Sequence, residues 1–151
     1  MLKSITLFFA VFILCSCSSK TGLTDISAGP AERQGMLSAR IEKYNKAVYW
    51  SSSGELSEYL DPSYMADFFK RISKRSEDEE LVESKVKNID FHADSSKATA
   101  YIETRFYSKA TLYVTSRYEK LDWEFFRLNG GWRLKNIDEL SAEHFSSLIS
   151  E

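Results

Sequence analysis

Apolar residues first recur at helical spacing. Between Ala31 and Trp50 they fall at Leu37, Ile41, Tyr44 and Val48, with Ala47 beside them. Steps of four, three and four place them on one face of an amphipathic helix. Pro30 suits the first turn of that helix, where a missing N–H is harmless. Ser51-Ser52-Ser53-Gly54 ends it, and Ser53 suits the cap of a short helix carrying Leu56, Tyr59 and Leu60. Asp61-Pro62 reads as a cap followed by Pro at the first helical position. The third helix carries Met65, Phe68, Phe69 and Ile72 on one side. It runs out in the charged stretch Lys74 to Glu80, and the mixed-sign run Lys70 to Glu80 reads as a solvated helix end and loop.

After Glu80 the period changes to two. Val82, Ser84 and Val86 alternate, then Ile89 and Phe91 continue on the opposite parity. That slip predicts a bulge near Lys87-Asn88. Asp94-Ser95-Ser96-Lys97 is a turn. Ala98, Ala100, Ile102, Thr104 and Phe106 share one face of the next strand, and Tyr101, Glu103, Arg105 and Tyr107 the other. A turn near Ser108-Lys109 leads into a long strand through Leu112, Val114, Ser116 and Tyr118. The strand is expected to kink around Lys120 and continue through Trp123, Phe125 and Phe126. Asn129-Gly130-Gly131 is a hairpin signal, because these residues readily adopt positive φ. Trp132, Leu134 and Asn136 form the returning strand. Asp138 to Glu151 is weakly amphipathic and reads as a terminal tail or short helix that frays. Helices followed by an antiparallel meander give an α+β class in one domain over residues 30–138, with a tail over 139–151.

The start of the chain adds an address. Lys3 is a lone positive charge, and Ile5 to Leu14 is an apolar stretch broken only by Thr6. Such a stretch is too short for a bilayer-spanning helix, which needs about 20 residues, but suits a signal-peptide core. Leu14-Cys15-Ser16-Cys17 follows and resembles the bacterial lipobox: an aliphatic residue at −3, a small residue at −1, then the Cys that becomes the new N-terminus. Cys17 fits; Cys15 does not, because Leu14 would fill the position that needs a small residue. The resemblance implies a signal peptide over 1–16, a lipidated Cys17 and a Ser- and Thr-rich tether to Gly29. It implies acylation with palmitate-like chains, and each buried CH₂ contributes about 0.8 kcal/mol to anchoring. It further implies a lipid-anchored protein of the cell envelope. Ser18, rather than Asp, favours the periplasmic face of the outer membrane in a Gram-negative host.

Composition now matters in two ways. The 151 residues carry 20 Lys and Arg against 22 Asp and Glu, a net charge of −2. Cleavage before Cys17 would leave 135 of them and remove Lys3, setting 19 basic against 22 acidic side chains, net −3. That balance argues against nucleic acid as a partner, which requires a basic surface. Of the two Cys, one would be discarded and one acylated, so no disulfide is expected.

Within the domain, the first helix ends in Tyr49-Trp50 before Ser53-Gly54-Glu55-Leu56. The final hairpin reads Trp123-Glu124-Phe125-Phe126-Arg127-Leu128-Asn129-Gly130-Gly131-Trp132-Arg133-Leu134. This order of elements and this hairpin resemble the nuclear-transport-factor-2-like superfamily over about Pro30 to Asp138. The resemblance implies N-terminal helices packed in a curved antiparallel sheet, a cone-shaped domain with a pocket at its open end. It also implies dimerisation through the sheet. It implies no reaction, since enzymes, secretion subunits and binding modules share the fold.

Chemical signals are sparse. His92 and His144 are far apart, and no metal-ligand, phosphate-loop or nucleophile motif is present, so no metal or cofactor is expected. Asp90 and His92 share a strand face and are the nearest approach to an acid–base pair. Ile89 and Phe91 claim the inward positions, which turns Asp90 and His92 outward. Eight tyrosines and three tryptophans fill core positions first. Tyr44, Trp50, Phe69, Trp123 and Trp132 are the candidates to line the pocket. Glu103, Arg105, Arg117 and Glu119 read as paired charges on a solvated or dimer-facing sheet surface. No residue is assigned a catalytic role.

The expected function is therefore a membrane-anchored, non-catalytic envelope module that binds a partner protein or a small apolar ligand. One alternative is an enzyme of ketosteroid-isomerase-like or dehydratase-like type, which requires an ionisable side chain inside the cone beside hydrogen-bonding aromatics. Another is a subunit of a secretion or lipid-transport assembly.

Overall fold

The computed structural model describes residues 28–50, 52–128 and 131–150. The expected signal segment, Cys17 and most of the expected tether lie outside them, as do Asn129 and Gly130 of the predicted hairpin. Ala28, within the expected tether, is buried, and its carbonyl accepts from Arg33 Nε at 2.9 Å.

Helix α1 (Pro30–Tyr49) starts with Pro in its first turn, Glu32 near its N-terminus and Lys46 in its last turn. The two charges oppose the helix dipole favourably. Leu37, Ile41, Tyr44 and Ala47 are buried, as the spacing predicts, and Val48 is partly so. Helix α2 (Ser53–Ser57) is one turn, with Leu56 buried and Ser52 at its N-cap. Tyr59 to Asp61 then runs beside the last strand. Leu134 N donates to Tyr59 O at 2.8 Å and Asp61 N to Leu134 O at 2.9 Å. This short parallel bridge satisfies part of an edge that would otherwise stay open.

Asp61 does not cap a helix directly. Its carboxylate accepts from the backbone and hydroxyl of Ser63, closing a turn, and pairs with Lys135 at 3.1 Å. Helix α3 (Met65–Asp78) follows, with Phe68 at its buried centre. The charged run Lys74 to Glu80 is not a loop: α3 continues through it and strand β1 (Glu79–Phe91) begins at once. The reason is tertiary. Lys109 donates from Nζ to the carbonyls of Ser76 and Glu77, and from its backbone to Asp78 O. These contacts occupy carbonyls that a helix end leaves unpaired.

Strands β1, β2 (Lys97–Ser108), β3 (Val114–Phe126) and β4 (Gly131–Leu140) form one antiparallel sheet in that order. The register shifts between Val86 and Asn88, where the change of parity predicts a bulge. No kink occurs at Lys120. The β2–β3 register is continuous from Lys97–Glu124 to Tyr107–Val114. The irregularity lies instead in β4, where Asp122 pairs with Asn136 and Trp123 with Leu134, so Lys135 is the extra residue.

The change in apolar parity along β3 has another cause: both faces of the sheet are covered. The helix-facing side holds Ala98, Ala100, Ile102, Leu121, Trp123, Phe125, Trp132, Leu134 and Ile137, packed against α1 and α3. On the opposite side Phe145 lies 4.7 Å from the Tyr118 ring and 6.4 Å from that of Tyr101. Phe145 belongs to α4 (Ala142–Ile149), capped by Ser141, whose hydroxyl accepts from His144 N. The C-terminal segment is thus part of the domain: β4 runs past Asp138 to Leu140, and α4 lies on the sheet.

Trp132 ties the start of α1 to β4. Its ring is buried and its Nε1 donates 2.8 Å to Arg33 O. The Arg33 guanidinium stacks 5.0 Å above the Phe125 ring.

Candidate functional site

Close packing is lost at one end of the helix-facing core. Inward positions that are Trp and Leu at the other end become Thr104 on β2 and Arg117 and Glu119 on β3. The register sets Thr104 opposite Arg117 and Ile102 opposite Glu119. A cavity of about 480 Å³ lies over them, walled by the last turns of α1, the end of α3 and the start of β1. That volume falls within the range of about 300–1,000 Å³ common for small-molecule sites. Apolar walls come from Val48, Ile72, Leu81, Ile102, Phe106, Leu121 and Ile137, with Tyr44 and Tyr49 beside them. Trp50, 71% exposed, stands at the rim.

The polar wall is an ion network. Arg75 Nη1 contacts Glu119 Oε1 at 2.7 Å, and its Nη2 reaches Glu139 at 3.3 Å. Arg117 Nη1 contacts Glu79 at 2.7 Å, and its Nε lies 3.4 Å from Glu119 Oε1. The hydroxyl of Thr104 donates to the second Glu119 oxygen at 3.2 Å. The Arg117 guanidinium also lies 4.8 Å from the centre of the Phe106 ring. Arg117 and Glu119 are only 10% and 9% exposed. Burial of charge at this depth is tolerable only when partners replace the lost water. The Tyr44 hydroxyl is pushed well above its ordinary pKa by burial first and by the Glu119 charge second, so it stays protonated at neutral pH.

Of the five aromatic candidates, Tyr44 and Trp50 line the cavity. Phe69, Trp123 and Trp132 do not; they belong to or pack against the close-packed core, with Trp123 and Trp132 at 1% exposure. Large flat side chains on a sheet face fill space well, which is why they close the core rather than leave room in it. Asp90 and His92 are exposed, in keeping with the alternation of Ile89 and Phe91.

The charged residues of β2 and β3 divide. Glu103 and Arg105 face away from α1 and pair across to β1, Glu103 with Lys87 at 2.7 Å and Arg105 with Glu83 at 3.6 Å. The Lys87 contact lowers the Glu103 pKa, with burial opposing. Arg117 and Glu119 face the cavity instead, which corrects their reading as sheet-surface charges. Arg75 and Glu79 come from a run read as a solvated loop and also belong to the site. One signal was present in the sequence: the odd parity of Leu121, Trp123 and Phe125, carried backward, points Glu119 and Arg117 inward. Among the described residues no group of three His, Cys, Asp or Glu side chains is placed to hold a metal ion. No helix among them is long and apolar enough to cross a membrane.

No family model matches this chain, and neither does any curated protein. Among solved structures, the chain is similar to a SEC-C motif containing protein from Rhodopseudomonas palustris. The two share 17% identity over 79% of this chain and 87% of that one, with a TM-score of 0.56. The intermembrane space region of chloroplast protein ARC6 is 14% identical over 71% of this chain and 95% of its own, with a TM-score of 0.47. The first likeness is one of α+β fold and not of chemistry.

Proposed function

We propose that this chain is a lipid-anchored, non-catalytic binding module of the bacterial cell envelope, built on a nuclear-transport-factor-2-like domain. The observation that carries the binding role is the cavity between α1, α3 and the sheet. It combines apolar walls with charged groups that already pair with one another. Anchoring rests on the Leu14-Cys15-Ser16-Cys17 motif. The cavity lies at the C-terminal end of α1, whereas the tether joins its N-terminal end. A helix of 20 residues spans about 30 Å, so the cavity sits away from the point of attachment.

Two measurements test this reading together. The wild-type chain, expressed with a clickable fatty acid, is expected to take up label and fractionate with membranes, and Cys17→Ala to do neither. Native mass spectrometry of the purified protein is expected to find a bound small molecule. A Ser84→Phe variant, which fills the cavity from its β1 wall, is expected to lose it. Label on Cys17→Ala would refute the anchor; unchanged ligand in Ser84→Phe would refute the cavity.

One observation keeps an enzyme reading alive: the cavity does hold an ionisable side chain, Glu119, beside the Tyr44 phenol. A general base must be free to take a proton. Glu119 is engaged at both oxygens, by Arg75 and by Thr104. That engagement favours a structural role for the carboxylate and a binding role for the cavity.

A further inference from the structure

We infer that the cavity takes an uncharged amphiphile: a single alkyl or acyl chain ending in a hydroxyl, ester or amide. This deepens the reading of the cavity as a binding site and rests on it.

The charges on the walls are balanced. Three cations, Arg75, Lys109 and Arg117, face three anions, Glu79, Glu80 and Glu119. Each cation is occupied. Arg75 holds Glu119 and Glu139, Arg117 holds Glu79, and Lys109 caps the carbonyls of Ser76 and Glu77. Lys109 pairs with no carboxylate among the described residues but is exposed at the rim, where water screens it, so an entering carboxylate adds negative charge beside two guanidiniums that are already neutralised. Such burial is strongly unfavourable. An entering ammonium meets the mirror situation: Glu79 and Glu119 are taken, and Glu80 is exposed at the rim, where water screens it.

A neutral polar head escapes both penalties and needs only hydrogen bonds. The wall offers uncharged hydrogen-bonding groups: the Asn45 amide, the Ser84 hydroxyl and the Tyr44 phenol. Each of these can donate, so the fitting head presents an oxygen acceptor. Val48, Ile72, Leu81, Ile102, Leu121 and Ile137 give the lining an aliphatic stretch that suits a hydrocarbon chain.

The test uses the full-length chain with Cys17→Ser, which removes the acyl chains the protein would otherwise carry. Three twelve-carbon probes are titrated below their micelle-forming concentrations: monolauroylglycerol, dodecanoate and dodecylammonium. Binding is read by calorimetry and by the emission of Trp50, which should shift to the blue as its exposed ring is covered and should stop shifting in Trp50→Phe. Monolauroylglycerol is expected to bind about tenfold or more tightly than either charged probe, a difference of about 1.4 kcal/mol per tenfold. In Glu119→Gln, which leaves one more cation than anion, dodecanoate should gain about tenfold while monolauroylglycerol changes little. Wild-type binding of dodecanoate or dodecylammonium as tight as that of the neutral probe would overturn the inference and leave the cavity a binding site. Failure of all three probes to bind would overturn both. The wild-type comparison decides the matter even if Glu119→Gln does not fold.

Discussion

Replacing Glu119 by Ala perturbs the centre of the ion network. Its carboxylate is 9% exposed and contacts Arg75 at 2.7 Å, Thr104 at 3.2 Å and Arg117 at 3.4 Å. Removing one member of a buried pair typically costs about 3–5 kcal/mol, because the other charge is left without water or a partner. Here both guanidiniums keep a second carboxylate: Arg75 keeps Glu139, which is 62% exposed, and Arg117 keeps Glu79. The expected loss is therefore smaller, about 2–3 kcal/mol. In a domain of this size a loss of 1 kcal/mol lowers Tm by about 3–6 °C, so Tm should fall by about 6–18 °C. Urea unfolding followed by circular dichroism measures the change directly, with an unaltered slope against denaturant. The matched control is Glu83→Ala. Glu83 pairs with Lys85 and Arg105 on the exposed face, where such pairs contribute about 0–1 kcal/mol. A further arm replaces Arg75 by Met and Glu119 by Leu together. That double variant should be more stable than Glu119→Ala, because it removes a charge along with its partner. If Glu119→Ala lies within about 0.5 kcal/mol of Glu83→Ala, the carboxylate is hydrated, and both the buried network and the charge balance built on it are wrong.

Trp132→Ala should cost about 3–5 kcal/mol by urea unfolding, since the ring is 1% exposed and its N–H also holds Arg33 O. Phe145→Ala should cost about 3 kcal/mol and increase proteolytic cleavage within residues 141–150, since its ring rests on Tyr101 and Tyr118; resistance equal to wild type would detach α4 from the sheet. Asp61 titrates below its ordinary value: burial alone would raise it, but the hydrogen bonds from Ser63 and the Lys135 charge outweigh that. Its stabilising contribution is therefore present above the unfolded value of about 3.9 and lost as pH falls through the lower folded value. Asp61→Asn should accordingly flatten the fall in Tm between about pH 4.5 and pH 2.5, and an acid limb identical to wild type would exclude the turn as its source.

The parts of the fold that were legible in sequence are those where one physical pattern acts alone. Leu37, Ile41, Tyr44 and Ala47 mark the buried stripe of α1 because only one side of that helix meets the core. The parity slip at Lys87 marks the bulge in β1. The end of α3 was not legible, because the groups that satisfy its last carbonyls come from Lys109, in the turn between β2 and β3. β3 misled for a related reason. Tyr118 on one parity and Trp123 on the other looked like a kink, but the strand is regular and both faces are used. The second face is covered by α4, whose short apolar set of Phe145, Leu148 and Ile149 gave little sign of where it would pack.

The site was the least legible part, and its position follows from how the core ends. Along β3 the inward positions run from Phe125 and Trp123 through Leu121 to Glu119 and Arg117. Apolar side chains can interdigitate to crystal-like density. Paired Arg and Glu side chains cannot, because each must keep its hydrogen-bonding partners at fixed distance and angle. The first stretch therefore closes against Leu37, Ile41 and Trp132, while the second holds the helices off the sheet and leaves a cavity. Seen one residue at a time, a charge on a strand argues for an outward face. Arg117 and Glu119 are inward because Arg75 on α3 and Glu79 on β1 arrive to neutralise them, and no spacing along β3 could reveal that arrival. The same four side chains that hid the cavity from the sequence are what keep it open.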